Sequence, residues 1–359
     1  MKSSWIILFG LLLVMPNYAV SNTLDKILQP QTYVCPPCPH VKSLFKTEVF
    51  EHKGICSVCG MHLVENTQSK ITNDIDIHNG SGNFVIEGSN HAVNRPIPVF
   101  YYKPKSFKKD SRVLIVIPGA GRNAWDYRDA WIKSAEKYGV LILSPHYSEN
   151  HYPRFWNYNI GRMISDVTIN KSKSAIESFK MNKNQQDWIF SDFDRMFSNV
   201  VIKLNMKAKY YDLFGHSAGG QILHRLALFN PNNKANRILA SNSGWYTVPS
   251  FEKDFPYGLR KSSLTTNELE QAFNQKLVLF IGEQDNENEM RGHLVRNEEL
   301  DQQGTHRLSR AKHFYTMAKQ IAKEKKFNFD WKFKVVANTG HDYKAMSKAA
   351  SNYLYEDDI

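Results

Sequence analysis

Past Cys59 the chain contains no cysteine; all four cysteines of its 359 residues lie between Cys35 and Cys59. Disulfides therefore cannot brace the long remainder, which must hold itself together with a hydrophobic core. After the first residues no apolar run approaches the roughly 20 residues of a bilayer-spanning helix, so no internal membrane span is expected. Internal repeats and low-complexity tracts are also lacking, which excludes solenoids and fibrous arrays. There is no acidic excess: 46 Lys and Arg stand against 35 Asp and Glu, a formal charge of +11. The basic residues are scattered, and their densest run, Lys319 to Lys334, alternates with apolar residues as a solvated helix face does. With no recognition motif beside the charge, no nucleic-acid partner is expected. Contact with anionic surfaces or polymers is all that the charge implies.

What is present is ordinary globular composition, 42% hydrophobic and 23% charged, enough to bury a core. Lys2, the apolar run Trp5 to Val14, the break at Pro16-Asn17 and the small residues Ala19 and Ser21 follow the order of a secretory signal peptide. Residues 1–21 are expected to direct export, to the periplasm or beyond it. An uncleaved anchor is the alternative, and without a cysteine near the cleavage region no lipid anchor is expected.

Cys35-Pro36-Pro37-Cys38 and Cys56-Ser57-Val58-Cys59 form two CxxC pairs at a separation suited to a four-thiolate zinc site. Each turn points two sulfurs at one ion, and two turns close a tetrahedron without an open position. Such a site is structural, with the metal replacing the core that so short a segment cannot build. Two disulfides are the alternative. His40 and His62 lie nearby and are expected to be surface residues or to support the ligands. The segment 31–66 resembles the heavy-metal-binding domain of bacterial metal-efflux proteins. Its close, Cys59-Gly60-Met61-His62-Leu63, matches that family; its opening has Pro37-Cys38 where Met and His are usual, which brings it nearer an ordinary zinc ribbon. Residues 22–70 are expected to form this ribbon, and residues 71–359 a second domain.

In the second domain β-branched runs alternate with amphipathic stretches. Phe84 to Glu87 and Ile97 to Tyr102 read as an opening hairpin, and Arg112 to Ile117 and Val140 to Leu143 as strands. Further strands are expected at Tyr210 to Phe214, Arg237 to Ala240, Leu277 to Ile281 and Phe333 to Ala337. Helices are expected at Ala130 to Tyr138, Asp187 to Leu204, Ala218 to Phe229 and Thr305 to Lys325. Alternation of this kind predicts an α/β fold, a mostly parallel sheet covered by helices on both faces.

Gly215-His216-Ser217-Ala218-Gly219 fits G-x-S-x-G, a pattern that arises by chance in roughly one chain in ten of this size. Its context is what counts: a strand ends just before it and a helix starts just after. So sharp a turn strains the serine backbone, and Gly215 and Gly219 leave room for the adjoining elements. A serine hydroxyl needs a base to become a nucleophile. Asp285 follows the strand Leu277 to Ile281, and His341 follows the last strand. Ser217, Asp285 and His341 therefore all fall at carboxyl ends of strands, where open α/β sheets gather their sites. Glu283 and Glu287 compete with Asp285. His293, His306 and His313 lack a preceding strand, and His216 is expected to line the pocket or pack. Oxyanion donors are expected at the Ala218 amide and in the loop Pro118 to Asn123, with Ala120 first and Gly121 second.

On these residues the span 84–350 resembles the α/β-hydrolase superfamily, and in particular secreted esterases similar to polyhydroxyalkanoate depolymerases and feruloyl esterases. Pro118 departs from the histidine that many members carry in the oxyanion loop, which leaves the substrate open. Trp245 to Gln275, where the superfamily often carries a cap, is rich in aromatics, and His151 to Trp156 shares that character. The expected activity is hydrolysis of a small-molecule or polymeric ester through an acyl-serine, with no catalytic cofactor. Two rivals stay open: an amidase or peptidase with the same triad, and a periplasmic metal-binding protein whose hydrolase domain is a silent scaffold.

Overall fold

A computed structural model describes residues 33–34, 49–50, 52–55, 62–65, 75–171 and 175–356. The chain divides into two compact units, residues 1–67 and 68–359. In the first, β1 (Tyr33–Val34) pairs antiparallel with β2 (Val49–Phe50) and with β3 (Val64–Glu65). Ile55 and His62 add an isolated antiparallel bridge. The expected metal ligands Cys35, Cys38, Cys56 and Cys59, and the expected signal peptide at residues 1–21, lie outside the described residues.

The second unit opens with the expected hairpin, β4 (Gly80–Gly88) against β5 (Ala92–Lys103). Next come β6 (Val113–Ile117), α1 (Ala124–Asp129), α2 (Ile132–Tyr138) and β7 (Leu141–Pro145). A long excursion follows: α3 (Arg154–Tyr158) and a separate antiparallel hairpin, β8 (Ile164–Ile169) with β9 (Ile176–Met181). The chain then returns through α4 (Phe190–Lys203), β10 (Tyr211–His216), α5 (Ala218–Phe229) and β11 (Ala235–Ser241). It closes with α6 (Thr266–Phe273), β12 (Leu277–Gly282), α7 (Glu298–Asp301), α8 (Arg307–Lys325), β13 (Lys332–Val336) and α9 (Tyr343–Tyr355).

Eight strands make one sheet in the order β13-β12-β11-β10-β6-β7-β5-β4. From β13 to β7 all neighbours run parallel, and only β5 and β4 are antiparallel. β6, β7, β10 and β12 are buried throughout, as strands covered on both faces must be, and in β6 and β12 the apolar run is almost unbroken. Their alternate residues feed two cores. Val113, Ile115, Ile117, Leu213 and Leu279 pack toward α4, α5, α6 and α8. Leu114, Val116, Phe214, Val278 and Phe280 pack toward α1, α2 and α9. The result is the expected α/β architecture, a mostly parallel sheet covered by helices on both faces.

Two local differences from the sequence reading have physical causes. The helix expected from Asp187 begins at Phe190, because Asn184 caps a separate short turn at Gln185–Asp187. The β8–β9 hairpin was not anticipated; positive φ at Asp166 and register shifts break its two-residue alternation.

From β6 the chain builds outward through β7, then crosses to β10 and builds the other way to β13. That reversal opens a crevice at the carboxyl ends of β6 and β10, where the sheet can receive a ligand. Burial sets an expected contrast in stability. Ile115→Ala, in the middle of β6, should cost about 2–5 kcal/mol in urea unfolding. Ile202→Ala, at a side chain 78% exposed, should stay within about 0.5 kcal/mol.

Candidate active site

Ser217 stands between β10 and α5 with φ 57° and ψ −113°, a conformation that side-chain-bearing residues avoid. It persists because the surroundings fix it: the Ser217 N–H donates to the Ser241 carbonyl at 2.9 Å, and its own carbonyl accepts from Gln221 N–H at 3.0 Å. A Cβ on Gly215 would lie 2.5 Å from the Gly219 carbonyl oxygen, and one on Gly219 2.2 Å from that of Ile117. Neither contact is tolerable. The two glycines are what let β6, β10 and α5 converge on the serine.

Ser217 and His341 line one cavity of about 510 Å³, together with Ala120, Gly121, Ala218 and His216. Behind it, Asp285 is fully buried and its Oδ2 lies 2.8 Å from His341 Nδ1. A carboxylate only accepts, so Nδ1 carries the proton and Nε2 is left as the acceptor. No hydrogen bond joins Ser217 to His341 among the described residues. Sites without ligand often hold such pairs at longer range than the reacting complex. The Ala218 amide opens α5, where the first turn has no intrahelical acceptor, and the helix dipole points its positive end there. The Ala120 N–H has no backbone acceptor in its turn among the described residues.

Of the competing residues, some are engaged elsewhere and two stay beside the cavity. Glu283 accepts from the Asn338 N–H at 2.9 Å, and Glu287 meets His306 at 3.4 Å. His306 also caps α8, and His313 lies on that helix. His293 lines the cavity. His216 Nδ1 bonds the Tyr127 hydroxyl at 3.1 Å, and its ring packs 4.5 Å from that of His341. Burial, reinforced by His341, pushes His216 well below the usual histidine range, which keeps it neutral.

Several residues that hold this arrangement escaped the sequence reading. Asn242, at φ 50° just after β11, donates to Asp285 Oδ2 at 2.6 Å, and Arg307 donates to Asp285 Oδ1 at 3.2 Å. Glu289 accepts the His341 backbone N–H at 2.6 Å and pairs with Arg291 at 2.7 Å. The Arg291 bonds, aided by the His341 amide, hold the Glu289 carboxyl down to about 2.

Four buried arginines are tied to backbone carbonyls of the loops around the cavity and, at Gln221, of α5. Arg122 donates to Tyr147 and Tyr152 at 3.0 and 2.6 Å, and stacks on Tyr158. Arg225 donates to Asn159 and Gln221 at 2.8 and 3.0 Å, and stacks on Trp245. Arg307 reaches Gly292 and His293 at 3.1 and 3.3 Å; Arg310 reaches Gly244 and Val295 at 2.8 and 3.0 Å. Burial lowers Arg225 to about 9, which still leaves it charged at neutral pH. A charge on a helix face otherwise apolar, as at Arg225 in α5, is the one signal the sequence offered.

The chain is similar to the solved structure of a poly(aspartic acid) hydrolase from Sphingomonas sp. KT-1, at 32% identity and a TM-score of 0.67; the match covers 77% of this chain and 98% of that one. It is also similar to a poly(3-hydroxybutyrate) depolymerase from Bordetella parapertussis, at 30% identity and a TM-score of 0.69, covering 78% of this chain and 91% of that one. No protein-family model and no curated protein matches the chain.

Glu289 gives a test of the loop anchoring. Its folded-state proton affinity is lowered, so its stabilising contribution is full above an unfolded value near 4.5 and is lost as pH falls through about 2. Glu289→Gln should therefore lower the urea midpoint most at pH 7, and the gap from the parent should narrow as pH falls from about 4.5.

Proposed function

The chain belongs to the α/β-hydrolase family, and from that premise we propose that it is an exported serine hydrolase cleaving carboxylic esters through an acyl-enzyme on Ser217. The observation that carries the proposal is the convergence of Ser217 and the His341–Asp285 pair on one cavity. In the first step His341 Nε2 takes the hydroxyl proton as Ser217 Oγ attacks the ester carbonyl. Negative charge forms on the carbonyl oxygen, where the Ala218 and Ala120 N–H groups donate to it. Collapse of the tetrahedral intermediate expels the alkoxide, which takes the proton back from His341, and leaves the acyl group on Ser217. A water then repeats the sequence: His341 takes its proton, its oxygen attacks the acyl carbon, and the proton returns to Ser217 as the acid leaves. Asp285 holds the His341 tautomer and balances its charge throughout. None of these steps calls for a cofactor.

The second reading is amide hydrolysis by the same groups. It is favoured by the relative named for poly(aspartic acid), whose chain is linked by amide bonds. For the front of the chain, the order of charge, apolar run and small residues supports a signal peptide at residues 1–21. The CxxC spacing supports a structural zinc ribbon at residues 22–70 held by Cys35, Cys38, Cys56 and Cys59, ahead of the hydrolase domain at 71–359. One zinc per purified chain, lost in Cys56→Ser, is the expected result; metal-free protein with no free thiols would point to disulfides instead.

Purified protein should hydrolyse p-nitrophenyl esters. Ser217→Ala should remove about a millionfold of kcat, and Asp285→Asn about ten-thousandfold. Undiminished turnover in Ser217→Ala would overturn the mechanism. Ser217-dependent release of amine from oligo-aspartate, with esters untouched, would move the assignment to the amide reading.

A further inference from the structure

The crossover from β7 to α4 spans residues 146–189, far more than the dozen or so residues that a parallel crossover needs. The surplus forms α3 and the β8–β9 hairpin, which stands outside the main sheet. A lone two-stranded hairpin is marginal in water and needs something to cover one face. Here Val167, Ile169, Ile176 and Phe179 are half-buried, while Ser165, Asp166, Thr168, Glu177, Ser178 and Lys180 are exposed. Phe179 packs edge-on to Phe255 at 5.8 Å, and Phe255 in turn meets Phe229 at 5.7 Å, so one strand is pinned to the body of the domain. At the other end of the hairpin the apolar face turns to the cavity.

Ile169 and Ile176 are cross-strand partners in register, so their side chains form one patch. Both line the cavity, as do Ala175, Phe155, Trp245 and Tyr257. Among the described residues no carboxylate belongs to this lining. The volume exceeds what an acetyl group fills, and it falls in the range of sites for medium-sized apolar ligands. Water against this wall would leave the isoleucine pair and the aromatic rings wet, whereas an apolar group would release that water.

We propose that the β8–β9 hairpin is the selectivity wall of the site, with Ile169 and Ile176 receiving a bulky apolar group, aliphatic or aryl, carried by the substrate. For hydrolysis this rests on Ser217 being the nucleophile; for binding it does not.

The closing experiment separates the two. The full chain and an Ile169→Ala/Ile176→Ala variant are compared on p-nitrophenyl octanoate and acetate. Binding of 1-octanol is measured in parallel by tryptophan fluorescence, each protein carrying Ser217→Ala. The ratio of kcat/KM on octanoate to that on acetate should fall about tenfold in the double variant, and octanol affinity should fall with it. Thr168→Ala, on the exposed face, should leave the ratio unchanged. If the double variant fails to fold, Ala175→Phe fills the wall instead and should depress octanoate relative to acetate. An unaltered ratio in a folded, active variant overturns the wall and leaves the hydrolase standing. Octanol binding that depends on the isoleucines, without ester turnover, keeps the wall and removes the ester reading. Octanol affinity indifferent to the pair overturns the wall whatever the enzyme does.

Discussion

Loop carbonyls without strand partners are the problem this site must solve. The cavity is walled by segments leaving the carboxyl ends of the strands, and an unpaired buried carbonyl there is costly. Arg122, Arg225, Arg307 and Arg310 meet that demand, each presenting a planar fork that reaches two or more carbonyls at once. A lysine in the same place would supply a point charge without the fork. Two of the four also meet carboxylates: Arg307 meets Asp285, and Arg310 meets Asp301. The remaining two, Arg122 and Arg225, are balanced by carbonyl dipoles and by aromatic rings at 4.6 and 4.2 Å. Much of the order around Ser217 thus depends on buried cations, of which Arg307 alone touches the His341–Asp285 pair.

The elbow stands on a second constraint of a steric kind. The positive φ of Ser217 stores strain that the flanking backbone must hold in place. The Ser241 carbonyl on β11 and the close approach of Gly219 to β6 supply that hold. Ser217, the neighbouring strands and the loop after β6 are therefore one packed unit.

The sheet was legible because its central strands are continuous apolar runs and its helices keep a clear face; α5 matches the expected Ala218 to Phe229 end for end. The meeting of His341 with Asp285 could be expected because each follows the carboxyl end of a strand, β13 and β12. The supporting residues were not legible. Asn242 meets Asp285, and Glu289 meets the His341 backbone, only after strands far apart in sequence have paired. A pattern that repeats every two or four residues carries no trace of such meetings. The hairpin failed for a nearer reason: a half-buried strand pair broken at Asp166 looks, in sequence, like any polar connection. Of the aromatic-rich stretches Trp245 to Gln275 and His151 to Trp156, Trp245, Tyr257 and Phe155 line the cavity, whereas Phe255 serves the core.

His341 follows both Ser217 and Asp285 in the chain, and it hangs from β13, the strand at one edge of the sheet. A ribosome therefore delivers the serine and the acid well before the base. Until β13 docks beside β12, the elbow has no partner for its proton. On the proposed chemistry a chain whose β13 has not yet paired with β12 is inert toward the esters around it. The edge position of β13 would thus act as a safety catch on the serine.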